Sequence, residues 1–458
     1  MDHELDERSK FATFGDYFSF MKKVLVLTYY WPPSGGPGVQ RILNFCNYLP
    51  EFGWQPIVIT PRNGTYPVKD ESLVKQINPS LKIHTTPTLE VFALYNLLKT
   101  GKATKESPVG MSDVIDSASF FQKLSNYIRA NFFVPDPRIG WNRFAVAEAA
   151  RVIRSGEVDA VITTGPPQST HLIGLKLKKK FKLPWVADLR DPWVNIFYNR
   201  YLLRTAKSKR KDQRYENQVL ATADRITVVS TGLIEEFSDR AKDITLIYNG
   251  YHSADFDHVV PKEMAKDTFH LGYVGSFKPS QNNHNLWKAI AALIRENEDF
   301  AKSFALVFVG KAGEGLTRTL SEFGLEKYVQ MVGYVGHNEA ISYMAGLQSQ
   351  LFIIPEVDDN KKIITGKLYE YMAVQNQIFS LGPVDGEAAV LLKEFGHDPM
   401  LAYQDLEGMK KTLLAQFNRW KDNNRQPVKM GVRPEKYNRR SQTKVLADLL
   451  DQLTSGAK

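Results

Sequence analysis

The pattern that most constrains this chain is a strand–loop–helix rhythm that runs along its first half and then starts again. Short runs rich in Val, Ile and Leu are followed by loops of Gly, Pro or polar residues, and then by apolar residues at helical spacing. Strands covered on both faces read as near-continuous apolar runs, and their alternation with helices marks a parallel sheet. In the first half the expected strands are Met21–Thr28, Pro56–Thr60, Val158–Thr164, Leu183–Ala187, Arg225–Ser230 and Ile244–Tyr248. The rhythm resumes with His270–Gly275, Phe304–Gly310, Val329–Gly333, Ser349–Pro355 and Ile378–Leu381. A chain of 458 residues exceeds what one core usually holds. The two series therefore predict an α/β protein of two Rossmann-like domains with loops aimed at a shared cleft. The expected boundaries are an extension over 1–20, a first domain over 21–252, a linker over 253–267, a second domain over 268–434, and a helix over 435–458 that crosses back to the first domain.

The loops that follow these strands carry the chemistry. Tyr29-Tyr-Trp-Pro-Pro-Ser-Gly-Gly-Pro-Gly38 joins the first strand to a helix, so its backbone, at Gly35 and Gly36 above all, can approach a ligand closely. It has neither the G-x-G-x-x-G spacing of a dinucleotide site nor the Lys-Ser or Lys-Thr pair of a P-loop. Two later strands end in Gly165-Pro-Pro-Gln-Ser-Thr-His171 and Asp188-Leu-Arg-Asp-Pro-Trp193, which makes His171, Asp188, Arg190 and Asp191 candidate catalytic residues. The most informative stretch is Ile363-Ile-Thr-Gly-Lys-Leu-Tyr-Glu-Tyr-Met-Ala373, where a loop turns into a helix near Gly366. Free N–H groups and the positive end of a helix suit a phosphate, Lys367 adds a full charge, and Glu370, one turn on, can accept both hydroxyls of a ribose.

The net charge of +9 favours anionic partners, and two lysine-rich runs, 176–182 and 207–211, concentrate it. With the aromatic stretch Phe120–Phe133, they suggest peripheral contact with an anionic membrane. No nucleic-acid partner is expected. Cys46 is the single cysteine and lies on an apolar helical face, and no His or Cys cluster has metal-ligand spacing. The acidic start and the lack of a run of about 18 apolar residues predict a cytoplasmic protein.

In order along the chain, Tyr-Tyr-Trp-Pro-Pro-Ser-Gly-Gly-Pro-Gly, Thr164-Gly-Pro-Pro, Asp188-Leu-Arg-Asp-Pro-Trp, Asn249-Gly-Tyr, Val274-Gly-Ser and Gly366-Lys-Leu-Tyr-Glu-Tyr-Met-Ala resemble the motifs of a GT-B glycosyltransferase of family 4, in the bacterial branch that builds surface polysaccharide. The resemblance covers roughly Met21 to the C-terminus. It implies that the second domain holds a nucleotide-diphosphate sugar, with the Glu370 position gripping ribose, and that the first holds a saccharide or lipid-linked acceptor. It implies transfer with retention and no bound metal or other cofactor. The donor-binding set is then Gly35, Gly36, Asn249, Gly275, Ser276, Lys278, Gly366, Lys367, Leu368 and Glu370. Departures from the family pattern are Lys362, where a first Glu is usual, and Ser276, where an Arg is usual. Positive charge for the diphosphate then falls to Lys278, Lys362 or Lys367. Arg190 stands near the place of a family His, so a front-side reaction assisted by the leaving phosphate is expected. A GT-B binding or scaffold protein and a GT-B sugar-nucleotide epimerase are the other classes left open.

Overall fold

The computed structural model describes residues 21–89, 127–196, 199–200 and 202–455. The extension 1–20 and the first part of the Phe120–Phe133 stretch lie outside the described residues. The chain forms two compact units. Of the described residues, one holds those up to Val229 together with Leu233–Tyr248 and Gln442 onward, the other Ser230–Gly232 and Asn249–Ser441.

In the first unit, strands β1 (Lys22–Leu27), β2 (Trp54–Pro61), β3 (Lys82–Thr86), β4 (Ala160–Gly165), β5 (Trp185–Leu189), β6 (Arg225–Val228) and β7 (Ile244–Leu246) form one sheet in the order β3-β2-β1-β4-β5-β6-β7. Every pairing is parallel. Side chains of β1 alternate between two cores, as a strand requires. Val24 and Val26 pack with Val39, Ile42, Leu43 and Cys46 of the helix Pro37–Tyr48. Leu25 and Leu27 pack with Ala145 and Ala149 of Asn142–Arg154 and Ile173 of Ser169–Phe181. Cys46 is wholly buried, so it packs.

β3 is a strand that the sequence pattern does not announce. It is a sheet edge, it reads Lys-Ile-His-Thr-Thr, and only its last residue is buried, so no apolar run marks it. Near the C-terminus a 3-10 turn, Glu435–Tyr437, precedes the helix Arg439–Ser455. From Gln442 this helix belongs to the first unit. Leu446, Leu449 and Leu450 are buried there, each worth about 1.5–3 kcal/mol, whereas Val445 points outward, 39% exposed. Lys22 Nζ, 2.8 Å from Asp451, pins the last turns beside β1.

The second unit repeats the plan. β8 (Phe269–Val274), β9 (Phe304–Val309), β10 (Val329–Gly333), β11 (Ser349–Ile353) and β12 (Gln377–Leu381) pair in parallel, in the order β10-β9-β8-β11-β12. Phe269 and Leu271 pack with Trp287 and Ile290 of the helix His284–Glu296, and with Phe417 and Trp420 of Leu406–Asp422. The stretch 253–267, expected as a linker, is part of this unit. It carries the short helix Ala254–Asp257, and Lys262 N donates to Ser342 O at 2.8 Å while Ser342 Oγ donates to Val260 O at 2.7 Å. Polarity there reflects strapping to a neighbouring helix through backbone groups, which leaves no apolar periodicity to read.

Candidate functional sites

In both sheets the chain builds outward from a central strand and then returns to its other side. The order reverses between β1 and β4 in the first unit, and between β8 and β11 in the second. Crevices at the carboxyl ends of strands, at such reversals, are where open α/β sheets bind ligands.

The first reversal opens into a cavity of about 190 Å³ lined by Tyr30, Gly35, Gly36, Gly38, Pro166 and Arg190, among others. Its floor is the start of the helix Pro37–Tyr48, for which Gly36 is the N-cap, with no side-chain cap. Arg190 donates from Nε to Gly165 O and from Nη2 to Pro166 O, both at 2.9 Å. Its Nη1 is aimed at Gly38, where a Cβ would run into the guanidinium. Two backbone carbonyls thus fix the plane of Arg190 and leave one edge toward a helix N-terminus, an arrangement that suits an anion.

Asp188 turns to Arg41 of the helix Pro37–Tyr48. It is 2% exposed and pairs with Arg41 Nη2 at 2.9 Å, while Thr164 Oγ1 and Thr227 Oγ1 donate to its two oxygens at 2.7 and 2.8 Å. Burial raises its pKa, but the Arg41 charge and hydrogen bond, with the Arg190 charge, outweigh this and hold the carboxyl below its usual range. Asp188 therefore ties β4, β5 and β6 together, with both its oxygens taken by Arg41, Thr164 and Thr227. His171 is fully buried at the start of its helix, 2.9 Å from Thr163 Oγ1 and beside the Trp193 ring. Burial pushes its pKa down to about 3, the Asp188 and Arg190 charges acting in opposite senses. In this structure its ring lies in the core and does not line the cavity at the first reversal. Burial lowers the Arg190 pKa, against which the charges of Asp188 and the adjacent Asp191 favour its charged form.

At the second reversal, the helix Gly366–Val374 begins after Thr365, whose hydroxyl makes no capping bond and is buried without a partner. Lys367 Nζ donates to Tyr273 OH at 2.8 Å and stands 4.6 Å from that ring's centre. The lysine stem crosses the backbone at Gly275, whose φ of 122° and lack of Cβ both matter: a side chain there would be strained and would strike Lys367. Tyr273 OH in turn donates to Ser276 O or Gln281 Oε1, at 3.1 and 2.9 Å. Val274 N donates to Tyr371 OH at 3.0 Å, so the end of β8 is bolted to the same helix. The structure thus brings together Gly275, Ser276, Gly366 and Lys367. Ser276 and Lys278 are exposed beside them, and Lys278 N is held by Gln281 Oε1 at 3.0 Å.

Glu370 is half-buried and accepts no hydrogen bond among the described residues. Its carboxylate raises the pKa of His337. His337 Nε2 lies 3.0 Å from Asp255, which is also 3.0 Å from His252 Nδ1. Burial lowers the His337 pKa, but the Asp255 hydrogen bond and the two carboxylates raise it overall. Leu368 is corrected to a core residue: it is fully buried and its N–H already donates to Thr365 O at 3.1 Å. Asn249 O accepts from Arg439 Nε at 3.4 Å. Sequence reading missed Tyr273, Arg41, Thr365 and the His252–Asp255–His337 group. A signal existed for Arg41 alone, an arginine in the midst of the apolar face Val39, Ile42 and Phe45.

Residues 36–254 match the family model described as Glycosyltransferase Family 4. No curated protein matches the sequence. Among solved structures, the chain is similar to sucrose-phosphate synthase from Thermosynechococcus elongatus, at 14% identity and a TM-score of 0.55, covering 95% of this chain and 99% of that one. TarM gives 11% identity and a TM-score of 0.57 over 94% and 99%. WaaG, a glycosyltransferase involved in lipopolysaccharide biosynthesis, gives 12% and 0.50 over 95% and 98%. At such identities the likeness is one of fold.

Proposed function

We propose that this chain, which shares the two-sheet GT-B fold of its structural neighbours and matches the glycosyltransferase family 4 model over residues 36–254, moves a sugar from a nucleotide-diphosphate sugar to a saccharide or lipid-linked acceptor. The observation that carries this reading is the junction at Gly366, where an uncapped helix start, the Lys367 ammonium and the unbonded Glu370 carboxylate meet at the reversal of the second sheet. The helix start and Lys367 neutralise the diphosphate, and Glu370 accepts from the ribose hydroxyls. Lys362 is exposed beside the same loop and adds charge where the family pattern has a Glu.

In the first unit, Arg190 meets negative charge with the edge its carbonyl partners leave open, and the loop at Gly36 lets the backbone approach the ligand, the Gly35 N–H being held by Val68 O at 2.9 Å. With His171 buried in the core, no histidine base lines this reversal among the described residues, which supports a front-side reaction with retention, the leaving phosphate taking the acceptor proton. Charge neutralisation by Lys367 and the helix start lets the reaction run without a bound metal. Surface-polysaccharide synthesis, at the inner face of a membrane where a lipid-linked acceptor is met, is the setting that fits this chemistry.

Incubation with a panel of nucleotide sugars tests the reading. Slow hydrolysis of one donor, with release of a sugar of retained configuration, is expected. Epimer formation points instead to an epimerase, and tight binding without turnover to a scaffold protein.

A further inference from the structure

The helix Ala206–Thr222 segregates its charges by burial. Its two carboxylates face inward: Asp212 pairs with Arg204 and accepts from Trp193 Nε1, and Glu216 pairs with Arg240, each only 1% exposed. Its outer face carries Lys207, Arg210, Lys211 and Arg214, all exposed, at the i, i+3, i+4, i+7 spacing of one stripe. An ordinary solvated helix face mixes both signs, and this one has cations alone.

The stripe begins at a corner with unusual apolar exposure. Asn131 clamps that corner, since its Nδ2 donates to Leu203 O at 2.8 Å, its Oδ1 accepts from Thr205 N at 2.7 Å, and its O accepts from Ser208 Oγ at 3.2 Å. Flanking the clamp, Phe132 is 70% and Leu203 65% exposed, with Tyr127 and Ile128 at 42% and 40% on the same helical segment. The clamp fixes the backbone of two large apolar side chains that nothing among the described residues covers. Single exposed apolar residues need no explanation, but a held group bordered by cations does. Among the described residues no helix is long and apolar enough to cross a membrane.

We propose that this corner docks the protein on an anionic lipid surface, Phe132 and Leu203 entering the headgroup–acyl boundary while the stripe from Lys207 to Arg214 binds acidic headgroups. The combination of apolar anchors and a one-sided cationic face is the chemistry of interfacial attachment. The assignment rests on the proposed function only in placing the acceptor at a membrane. Docking itself needs no donor.

Co-sedimentation of the full chain with phosphatidylglycerol–phosphatidylcholine vesicles, and with pure phosphatidylcholine vesicles, tests it. Binding to the anionic vesicles alone, weakened by salt, is expected. Lys207→Ser/Lys211→Ser should lower the partition about 25-fold, roughly fivefold for each cation lost. Phe132→Ser/Leu203→Ser should lower it at unchanged charge, while Val260→Ser, an equally exposed apolar site in the second unit, should not. Unchanged thermal midpoints establish that the variants are folded. Equal partition to both vesicles, absence of binding, or indifference to both double variants would overturn the proposal, and so would loss of the apolar pair changing only self-association in light scattering. Donor hydrolysis measured on the same preparations separates failure of docking from failure of the glycosyltransferase reading.

Discussion

Arg41 and Asp188, 147 positions apart, close on each other at 2.9 Å with side chains 1% and 3% exposed. Removing one partner of such a pair leaves a buried charge unpaired, which typically costs about 3–5 kcal/mol. Arg41→Ala should therefore lower the unfolding free energy by that much, read as a lower denaturant midpoint at unchanged slope of the transition. Because the Asp188 pKa is depressed in the folded protein, the stability it contributes is fully present above the ordinary carboxylate range. It is lost as pH falls through the folded value. Asp188→Asn should flatten the acid limb of the stability profile. An unfolding free energy for Arg41→Ala within about 1 kcal/mol of the wild type would show that the pair is not structural.

His171 should be silent as a titrating group. With its pKa pushed down to about 3, its ring stays neutral from pH 5 to 9 in a nuclear magnetic resonance titration. The sign for stability follows: the unfolded chain takes up a proton near the ordinary histidine value and the folded one does not. The contribution is complete above that value and erodes as pH falls toward about 3. Titration near neutrality would mean that the ring reaches solvent, and would restore His171 as a candidate base.

His337 should behave in the opposite sense. Its pKa is raised, burial being outweighed by the Asp255 hydrogen bond and by the charges of Glu370 and Asp255. The stability from this pairing is complete below the ordinary histidine value and is lost as pH rises through the folded one. Asp255→Asn should lower the His337 pKa in the same experiment. An unchanged titration would assign the upward shift to another neighbour.

Arg190 and Lys367 should separate in kinetics. Arg190→Ala should reduce turnover about 10²–10³-fold, the usual worth of a preorganised donor to developing charge, with little change in donor affinity. Lys367→Ala should do the reverse. Gly38→Ala, which drives a methyl group into the Arg190 guanidinium, should reproduce the Arg190 phenotype without touching its charge. Steady-state kinetics on the identified donor and acceptor decides, and normal turnover in both Arg190→Ala and Gly38→Ala would reduce Arg190 to a brace for Gly165 and Pro166.

The two parallel sheets were legible because their central strands are continuous apolar runs, as in Val24–Leu27 and Leu306–Val309, closed by glycine or polar loops. The helix start at Gly366 was legible for the same reason, its face Leu368, Tyr369, Met372 and Ala373 being buried throughout. What escaped reading depends on neighbours distant in sequence. No local pattern pairs Lys367 with Tyr273, 94 positions away, or Asp188 with Arg41. His171 and Asp188 looked like ligand-facing groups because they follow strands, yet a residue at a strand end can turn back into the sheet. The paired threonines Thr164 and Thr227 that receive Asp188 come from two other strands.

Donor recognition at the Gly366 junction is the centre of this account, and calorimetric titration of the wild-type protein and Glu370→Ala with uridine, guanosine, adenosine and thymidine diphosphates measures it most directly. The account predicts that one nucleoside diphosphate binds the wild type at a single site, and that Glu370→Ala weakens it by about 1.5–3 kcal/mol, the worth of hydrogen bonds to a charged group. Equal affinity of the two proteins for that nucleotide would contradict it.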